Sequence, residues 1–108
     1  MNTQYKKGVL ELCVLSMLKN ENRYGYEISE YLSKRIDIAD GTVYPILRKL
    51  KSDGLVTTFL SEESGGPPRK YYCLTELGKS TYDTDRGEYL EFAKTVESML
   101  KENKDEKE

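Results

Sequence analysis

The sequence predicts a mainly α-helical fold that carries one small β-hairpin and ends in a long helix, and three stretches predict it. Residues 40–55, DGTVYPILRKLKSDGL, place Val43, Ile46, Leu47 and Leu50 at i, i+3, i+4 and i+7, which at 3.6 residues per turn makes one apolar stripe. After Gly54 the period changes to 2: LVTTFL (55–60) and RKYYCLT (69–75) flank the turn formers SEESGGPP, the pattern of a hairpin with a long tip. From Thr75 to about Asn103 the chain is polar on average and helix-forming, with an apolar seven-residue repeat.

A chain of 108 residues makes one domain, or one small domain plus an appendage. The first element is a helix from Lys6 to Lys19. Val9, Leu10, Leu12, Cys13, Val14, Leu15, Met17 and Leu18 cover almost its whole circumference, so it must be covered from two sides, one of them by a partner chain. Asn20-Glu21-Asn22 breaks it. A second helix runs from Tyr24 to about Arg35, with Tyr24, Ile28 and Leu32 at four-residue steps and Tyr31 beside them. Ile36 to Ala39 is a short connector. Two helices and a tight turn leading into a helix with a basic face are in helix-turn-helix order, and the hairpin that follows is the wing. The predicted architecture is therefore a winged helix-turn-helix over residues 1–75, a C-terminal dimerisation helix over 76–103 and a disordered tail over 104–108, KDEKE, which has no apolar residue.

The basic-faced helix carries the functional expectation. Opposite its apolar stripe stand Gly41, Pro45, Arg48 and Ser52, with Thr42 and Lys49 on one shoulder and Tyr44 and Lys51 on the other. Pro45 falls in the first turn, where its missing N–H removes no bond, and Gly54 supplies a left-handed stop. A helix pinned by its back with a narrow cationic front can enter a groove, although a solvated Lys/Arg face is also the commonest kind of surface helix.

Charge is divided along the chain. Residues 1–75 carry eleven Lys/Arg and nine Asp/Glu, residues 76–108 six and ten, so a net +2 precedes a net −4. A polyanion responds to local potential, and this front half is compatible with DNA. There is no histidine and no tryptophan, and Cys13 and Cys73 are sixty residues apart in apolar runs. A zinc site or a thiol–histidine pair lacks its parts, and both cysteines read as buried small hydrophobes. Neither a cleavable leader nor a membrane span fits the apolar pattern, which points to a cytoplasmic protein with reduced thiols.

Three segments, RYGYEI (23–28), GTVYPILRKLKSDGLV (41–56) and GGPPRKYYCLTELGK (65–79), together with KKGVLELCVLSML at the front, resemble the signature stretches of the PadR family of bacterial transcriptional regulators, in the same order. The resemblance covers roughly residues 5–100 and is to the small members with a single C-terminal helix. It implies a winged-helix repressor that acts as a homodimer through its C-terminal helix and, in many members, answers a small-molecule inducer. Ala39 stands where similar proteins often hold a serine cap, leaving Asp40 to accept the first-turn N–H bonds. The absence of tryptophan separates this chain from relatives with a flat aromatic drug pocket.

Each candidate has a role and a competing one. Gly41 and Thr42 offer backbone approach and a hydroxyl to a phosphate, or simply start the helix. Tyr44 and Arg48, with Pro45 between, stand nearest base edges or the adjoining backbone; Tyr44 could instead be partly buried against the wing. Lys49, Lys6 and Lys7 contact phosphates or are merely solvated. Arg69 and Lys70 follow a stiff Gly-Gly-Pro-Pro loop, where a wing meets the minor groove or its phosphates. Tyr71 and Tyr72 alternate along the strand, so at least one is core. In the last helix Tyr82, Tyr89 and Val96 are spaced by seven, as are Asp85, Phe92 and Met99, with Ala93 and Leu100 widening the stripe. Packing on its own domain accounts for Leu77 and Tyr82. Beyond Tyr89 the seam of Tyr89, Phe92, Ala93, Val96, Met99 and Leu100 fits a dimer. A small aromatic effector would lodge where Val9, Cys13, Tyr89, Phe92 and Val96 face one another at the dimer centre.

The predicted function is sequence-specific binding of double-stranded DNA at an inverted-repeat operator, without cofactor or metal. A winged helix that binds another protein is the alternative, favoured by the overall acidity. Enzyme chemistry fares worst, since the usual acid, base and nucleophile constellations cannot be assembled.

Overall fold

Val14, Ile28 and Leu47, from three successive helices, are 0% exposed and belong to one apolar cluster. The computed structural model describes residues 3–39, 41–62 and 65–103, with side chains from residue 8. The elements are α1 (Thr3–Met17), β1 (Arg23–Tyr24), α2 (Gly25–Ser33), α3 (Val43–Ser52), β2 (Val56–Ser61), β3 (Arg69–Leu74) and α4 (Glu76–Lys101). Three helices and a small antiparallel sheet surround the core, and α4 leaves it to project. The expected tail, residues 104–108, and the Asp40 cap lie outside the described residues.

The stripe read from α3 is the centre of that core: Val43, Ile46, Leu47 and Leu50 are at most 2% exposed. Burying such a side chain is worth roughly 1.5–3 kcal/mol, whereas an exposed ion pair contributes about 0–1 kcal/mol. The helix is held by its back, leaving its front free to be polar. It is shorter than the expected 40–55 span. Gly41 takes φ +85° and so precedes the helix in a turn, where Tyr44 N–H donates to its carbonyl at 3.3 Å. Thr42 is the N-cap, without a side-chain capping bond. Pro45 sits in the first turn, as its chemistry requires. At the other end Gly54, at φ +78°, closes the helix: its N–H reaches Lys51 O at 3.0 Å and Leu55 N–H reaches Leu50 O at 2.9 Å, the two bonds of a Schellman stop.

The sheet has three strands, not two, in the order β1-β3-β2. Arg23 pairs with Tyr72 and Tyr24 with Tyr71, so Tyr24 belongs to a strand and caps α2 from outside it. Its N–H donates to Glu27 Oε1 at 3.3 Å. β2 and β3 run in register from Val56↔Leu74 to Ser61↔Arg69, one residue shorter at the core end than expected because Leu55 completes the α3 stop. Tyr72 is the core tyrosine of its pair and Tyr71 lies on the other face. That outer face carries Tyr24, Tyr71 and Phe59 in one cross-strand row, with centroids 5.6 and 5.5 Å apart.

Tyr31 stands beside the α2 core face of Ile28 and Leu32, 41% exposed, with Arg35 over its ring at 3.7 Å. Two burial expectations are corrected. Leu77 is 56% exposed. The cysteines are half-buried, not buried, and partial burial pushes the Cys13 thiol above its ordinary value. Tyr82 does pack on the core. Beside it, Lys19 joins Asp83 at 3.0 Å, tying α1 to the first part of α4. Thr75 caps α4 as expected, its hydroxyl accepting from Gly78 N–H at 2.9 Å. Past Tyr89, α4 departs: Leu90, Phe92, Met99 and Leu100 are 48–70% exposed on a molecule that measures 61 × 28 × 21 Å.

Candidate nucleic-acid interface

The buried back of α3 turns Tyr44, Pro45, Arg48 and Lys49 outward. They do not stand alone. Tyr44 is a ridge between two shallow basins. On the wing side, a basin of about 440 Å³ is lined by Tyr24, Gly25, Tyr26, Tyr44, Arg69, Lys70 and Tyr72. On the α2 side, one of about 380 Å³ is lined by Tyr26, Ser29, Glu30, Ser33, Lys34, Gly41 and Tyr44.

Local chemistry explains the ridge. Gly25 opens α2 where Tyr44 passes: a Cβ there would stand 3.2 Å from Tyr44 Cε1 and 3.6 Å from Tyr72 Cε1. The ring can therefore lie against α2 while Tyr44 remains 37% exposed. Tyr44 is backed by the wing's Tyr72 and open in front, which fits the expected partial burial against the wing. Burial raises the Tyr72 hydroxyl above its ordinary value, the nearby Tyr44 adds to the rise and the Arg48 charge opposes it. Arg48 itself stands on the exposed face of α3.

The cations are unequal. Lys49 is held between Asp53 Oδ2 at 2.9 Å and Glu11 Oε1 at 3.6 Å, and the hydrogen bond to Asp53, with Glu11 behind it, raises its pKa above the ordinary value. Lys51 donates to Thr58 Oγ1 at 3.1 Å, linking α3 to β2. Arg69 folds back from the start of β3, its guanidinium over the Tyr24 ring at 4.5 Å from the centroid. That places Arg69 and Lys70 at the cleft between wing and α3. Gly41 and Thr42 stand at the head of α3, with Gly41 in the second basin. The Lys6 and Lys7 side chains lie outside the described residues.

Sequence reasoning missed the α2 side. Tyr26, Ser29 and Ser33 recur at i, i+3 and i+7, a polar stripe beside Ile28 and Leu32 that gains meaning only where Gly41 and Tyr44 complete the basin. Tyr26 donates to Glu30 Oε2 at 3.1 Å, which keeps an acid within that basin. Tyr24 was missed as the seat of Arg69 because a two-residue strand leaves no periodicity.

The residues expected around an effector are not gathered within one protomer. Val9 and Tyr89 share a shallow hollow with Gly8, Leu12, Asp85 and Glu88. Cys13 lines a different pocket, between α1 and α2, with Met17, Arg23, Tyr31, Leu32 and Ile36. Phe92 and Val96 lie farther along α4, where Val96 and Ala93 are half-buried and Phe92 is 62% exposed. No group of three or more Cys, Asp or Glu able to hold a metal occurs among the described residues. Among the described residues no helix is long and apolar enough to cross a membrane.

Among solved structures, the chain is similar to a Streptococcus transcriptional regulator, at TM-score 0.83 and 34% identity over 92% of this chain and 99% of that one. It is equally similar to a PadR-like transcriptional regulator from Bacillus cereus, at TM-score 0.82 and 34% identity, covering 91% and 97%. The negative transcriptional regulator PadR of Bacillus subtilis is 28% identical over 75 residues, which are 66% of this chain and 41% of that protein. The model of the transcriptional regulator PadR-like family matches residues 14–84. With the winged helix and its outward basic helix in place, these matches make the chain a member of the PadR-like family of transcriptional regulators, DNA-binding proteins and not enzymes.

Proposed function

We propose that this regulator is a repressor that binds an inverted-repeat operator as a homodimer in the cytoplasm, and that a small aromatic effector releases it. The observation that carries the reading is α3: a helix fixed by four buried side chains that turns Tyr44, Pro45 and Arg48 outward, with Tyr44 between two basins. Such a helix supplies the reading element of a helix-turn-helix. Gly41 and Thr42 border the helix and Lys49 lies within it, Lys6 and Lys7 precede it in the chain, and Arg69 and Lys70 add charge from the wing. Half to two-thirds of protein–DNA hydrogen bonds go to the backbone, so most of these residues are assigned to phosphates and Arg48 to a base edge.

Residues 1–75 serve as the reading domain and 76–103 as the dimerisation helix. The support is the projecting part of α4, where Phe92, Met99 and Leu100 are exposed and Tyr89, Ala93 and Val96 half-buried beside them, a row that would close on a second copy. Two-fold protein symmetry imposes two-fold operator symmetry, with half-sites about one helical turn apart. The effector would sit where Val9, Cys13, Tyr89, Phe92 and Val96 converge once a partner is added. Its leverage is its differential affinity for two arrangements of the protomers.

The test is a gel shift with the region upstream of the protein's own gene. A saturable, salt-sensitive complex that competitor DNA does not remove supports the reading. Binding no tighter than to random DNA would return the chain to the alternative of a protein-binding winged helix.

A further inference from the structure

Two polar contacts join the end of α3 to the beginning of α4, both made by Thr75, and the Thr75 side chain also caps α4. The Thr75 hydroxyl donates to Gly54 O at 2.7 Å and accepts from Gly78 N–H at 2.9 Å. The Thr75 backbone N–H donates to Leu55 O at 3.1 Å. Gly54 and Leu55 are the two residues that close the α3 stop, since their own N–H groups return to Lys51 and Leu50. A single hydroxyl thus spends its donor on the terminus of one helix and its acceptor capacity on the first turn of another.

Close packing leaves this joint little play. Gly78 is buried, and a Cβ built on it would collide with the Leu55 carbonyl and stand 3.2 Å from Leu74 Cδ2. The first turn of α4 therefore rests on the backbone of the α3 stop without a side chain between them. Leu77 covers the other side, its Cδ2 4.0 Å from the Cβ position of Gly54.

Leverage makes the joint consequential. α4 has 26 residues, so it is about 39 Å long at 1.5 Å per residue. A tilt of about 5° at its base displaces its far end by roughly 3 Å, which is about one base-pair step. In a dimer held through the far half of α4, the same tilt changes the separation of the two α3 helices by a comparable distance.

We propose that Thr75, seated by Gly78, is the positioning residue that fixes the half-site spacing this protein reads. It touches no DNA and acts through the angle between α3 and α4. The inference rests on the dimeric, inverted-repeat reading above.

The experiment measures affinity of the full chain for inverted repeats whose spacer is the preferred length or is changed by one or two base pairs. A single half-site duplex and sedimentation at the same concentration serve as controls. Thr75→Val removes the hydroxyl while keeping the side-chain shape. Thr75→Asp keeps an acceptor for Gly78 N–H, so α4 remains capped, but cannot donate to Gly54 O. Thr75→Ser restores both bonds. Wild type and Thr75→Ser are expected to bind the preferred spacer at least tenfold more tightly than its neighbours. Thr75→Val and Thr75→Asp are expected to bind all spacers within about threefold, while remaining dimers with half-site affinity within twofold of wild type. Thr75→Asp that folds, dimerises and keeps the tenfold selectivity overturns the proposal, as does Thr75→Ser that loses it or either donor-less variant that becomes monomeric. A wild type indifferent to spacing, or monomeric, would instead remove the operator reading on which the proposal stands.

Discussion

Arg69 lies over Tyr24, its guanidinium 4.5 Å from the ring centroid, so a cation from the start of β3 is held above the residue that precedes α2. The same ring is 5.6 Å from Tyr71 and 6.5 Å from Tyr26. An arginine stacked in this way is pre-oriented at the mouth of the wing-side basin. A cation–π contact at an exposed site is worth about 0.5–1 kcal/mol. Tyr24→Ala is therefore expected to weaken operator binding about two- to fivefold through Arg69, and Tyr24→Phe to leave it unchanged. In the Arg69→Ala background the Tyr24→Ala change should have no further effect, which a double-mutant cycle by fluorescence anisotropy would measure; additive losses would place Tyr24 in direct contact with DNA.

The two basic residues at the centre of α3 should behave differently. Arg48 is exposed beside Tyr44, whereas Lys49 is engaged by Asp53 and Glu11. Arg48→Ala is expected to cost about 1–3 kcal/mol in operator binding, the value of a bidentate base contact, and to relax specificity at one position. Lys49→Ala should leave specificity intact and lower the salt slope by less than one counterion, because its charge is already shared with two carboxylates. Glu11→Gln should release part of that charge, with Asp53 still in place, and steepen the slope slightly. Salt titrations of operator and random DNA distinguish these outcomes, and a loss of specificity in Lys49→Ala would reverse the assignment.

Glycine substitutions separate packing from recognition. Gly78→Ala forces a methyl against the Leu55 carbonyl, which backbone movement alone can relieve. It should destabilise the fold by about 1–3 kcal/mol, the usual cost of overpacking. Gly25→Ala meets the edge of the Tyr44 ring at 3.2 Å, and a side chain can give by the few tenths of an ångström required. It should cost less stability but shift Tyr44, and so lower operator affinity more than its urea midpoint predicts. Urea unfolding of both variants, with anisotropy on Gly25→Ala, tests the contrast. Equal destabilisation would mean that Tyr44 is as rigidly held as the backbone.

What was legible in the sequence follows from the range of the interactions. Val43, Ile46, Leu47 and Leu50 announce α3 because a helix repeats its buried face every 3.6 residues, and Gly54 and Thr75 announce their turns because each does local chemistry. Neither the two-residue β1 nor the Tyr24–Arg69 stack has a local signature: both arise from pairing with a strand some fifty residues later. The Lys49–Asp53 pair is local, at i and i+4, whereas Glu11 and Lys49 meet only after folding, so that second hold on Lys49 could not be foreseen. Leu77 was over-assigned to packing on its own domain because hydrophobicity reports a tendency to be buried, not whether a neighbouring Gly54 offers only partial cover. In the interface, the outward face of α3 was readable and the α2 basin was not, since Ser29, Ser33 and Lys34 gain meaning only beside Gly41 and Tyr44.

The dimer reading is tested most directly by removing residues 88–108. The truncation takes away Leu90, Phe92, Met99 and Leu100, which are exposed in the protomer, and spares the Thr75 cap, Tyr82 on the core and the Lys19–Asp83 pair. The shortened chain should therefore keep its winged-helix circular dichroism while sedimenting as a monomer. Operator affinity should fall by roughly 10²–10⁴-fold, because the second half-site is no longer presented at the effective concentration that linkage provides. Val9 and Leu12 lose the cover of Tyr89 and Glu88 in the hollow they share, so the monomer should also aggregate more readily. Affinity for a single half-site separates two causes of weak binding. If it is retained, the loss belongs to dimerisation; if it falls equally, the last turns of α4 support the reading domain itself. A truncated chain that still sediments as a dimer would move the interface off the Tyr89–Leu100 row and onto α1 or the wing.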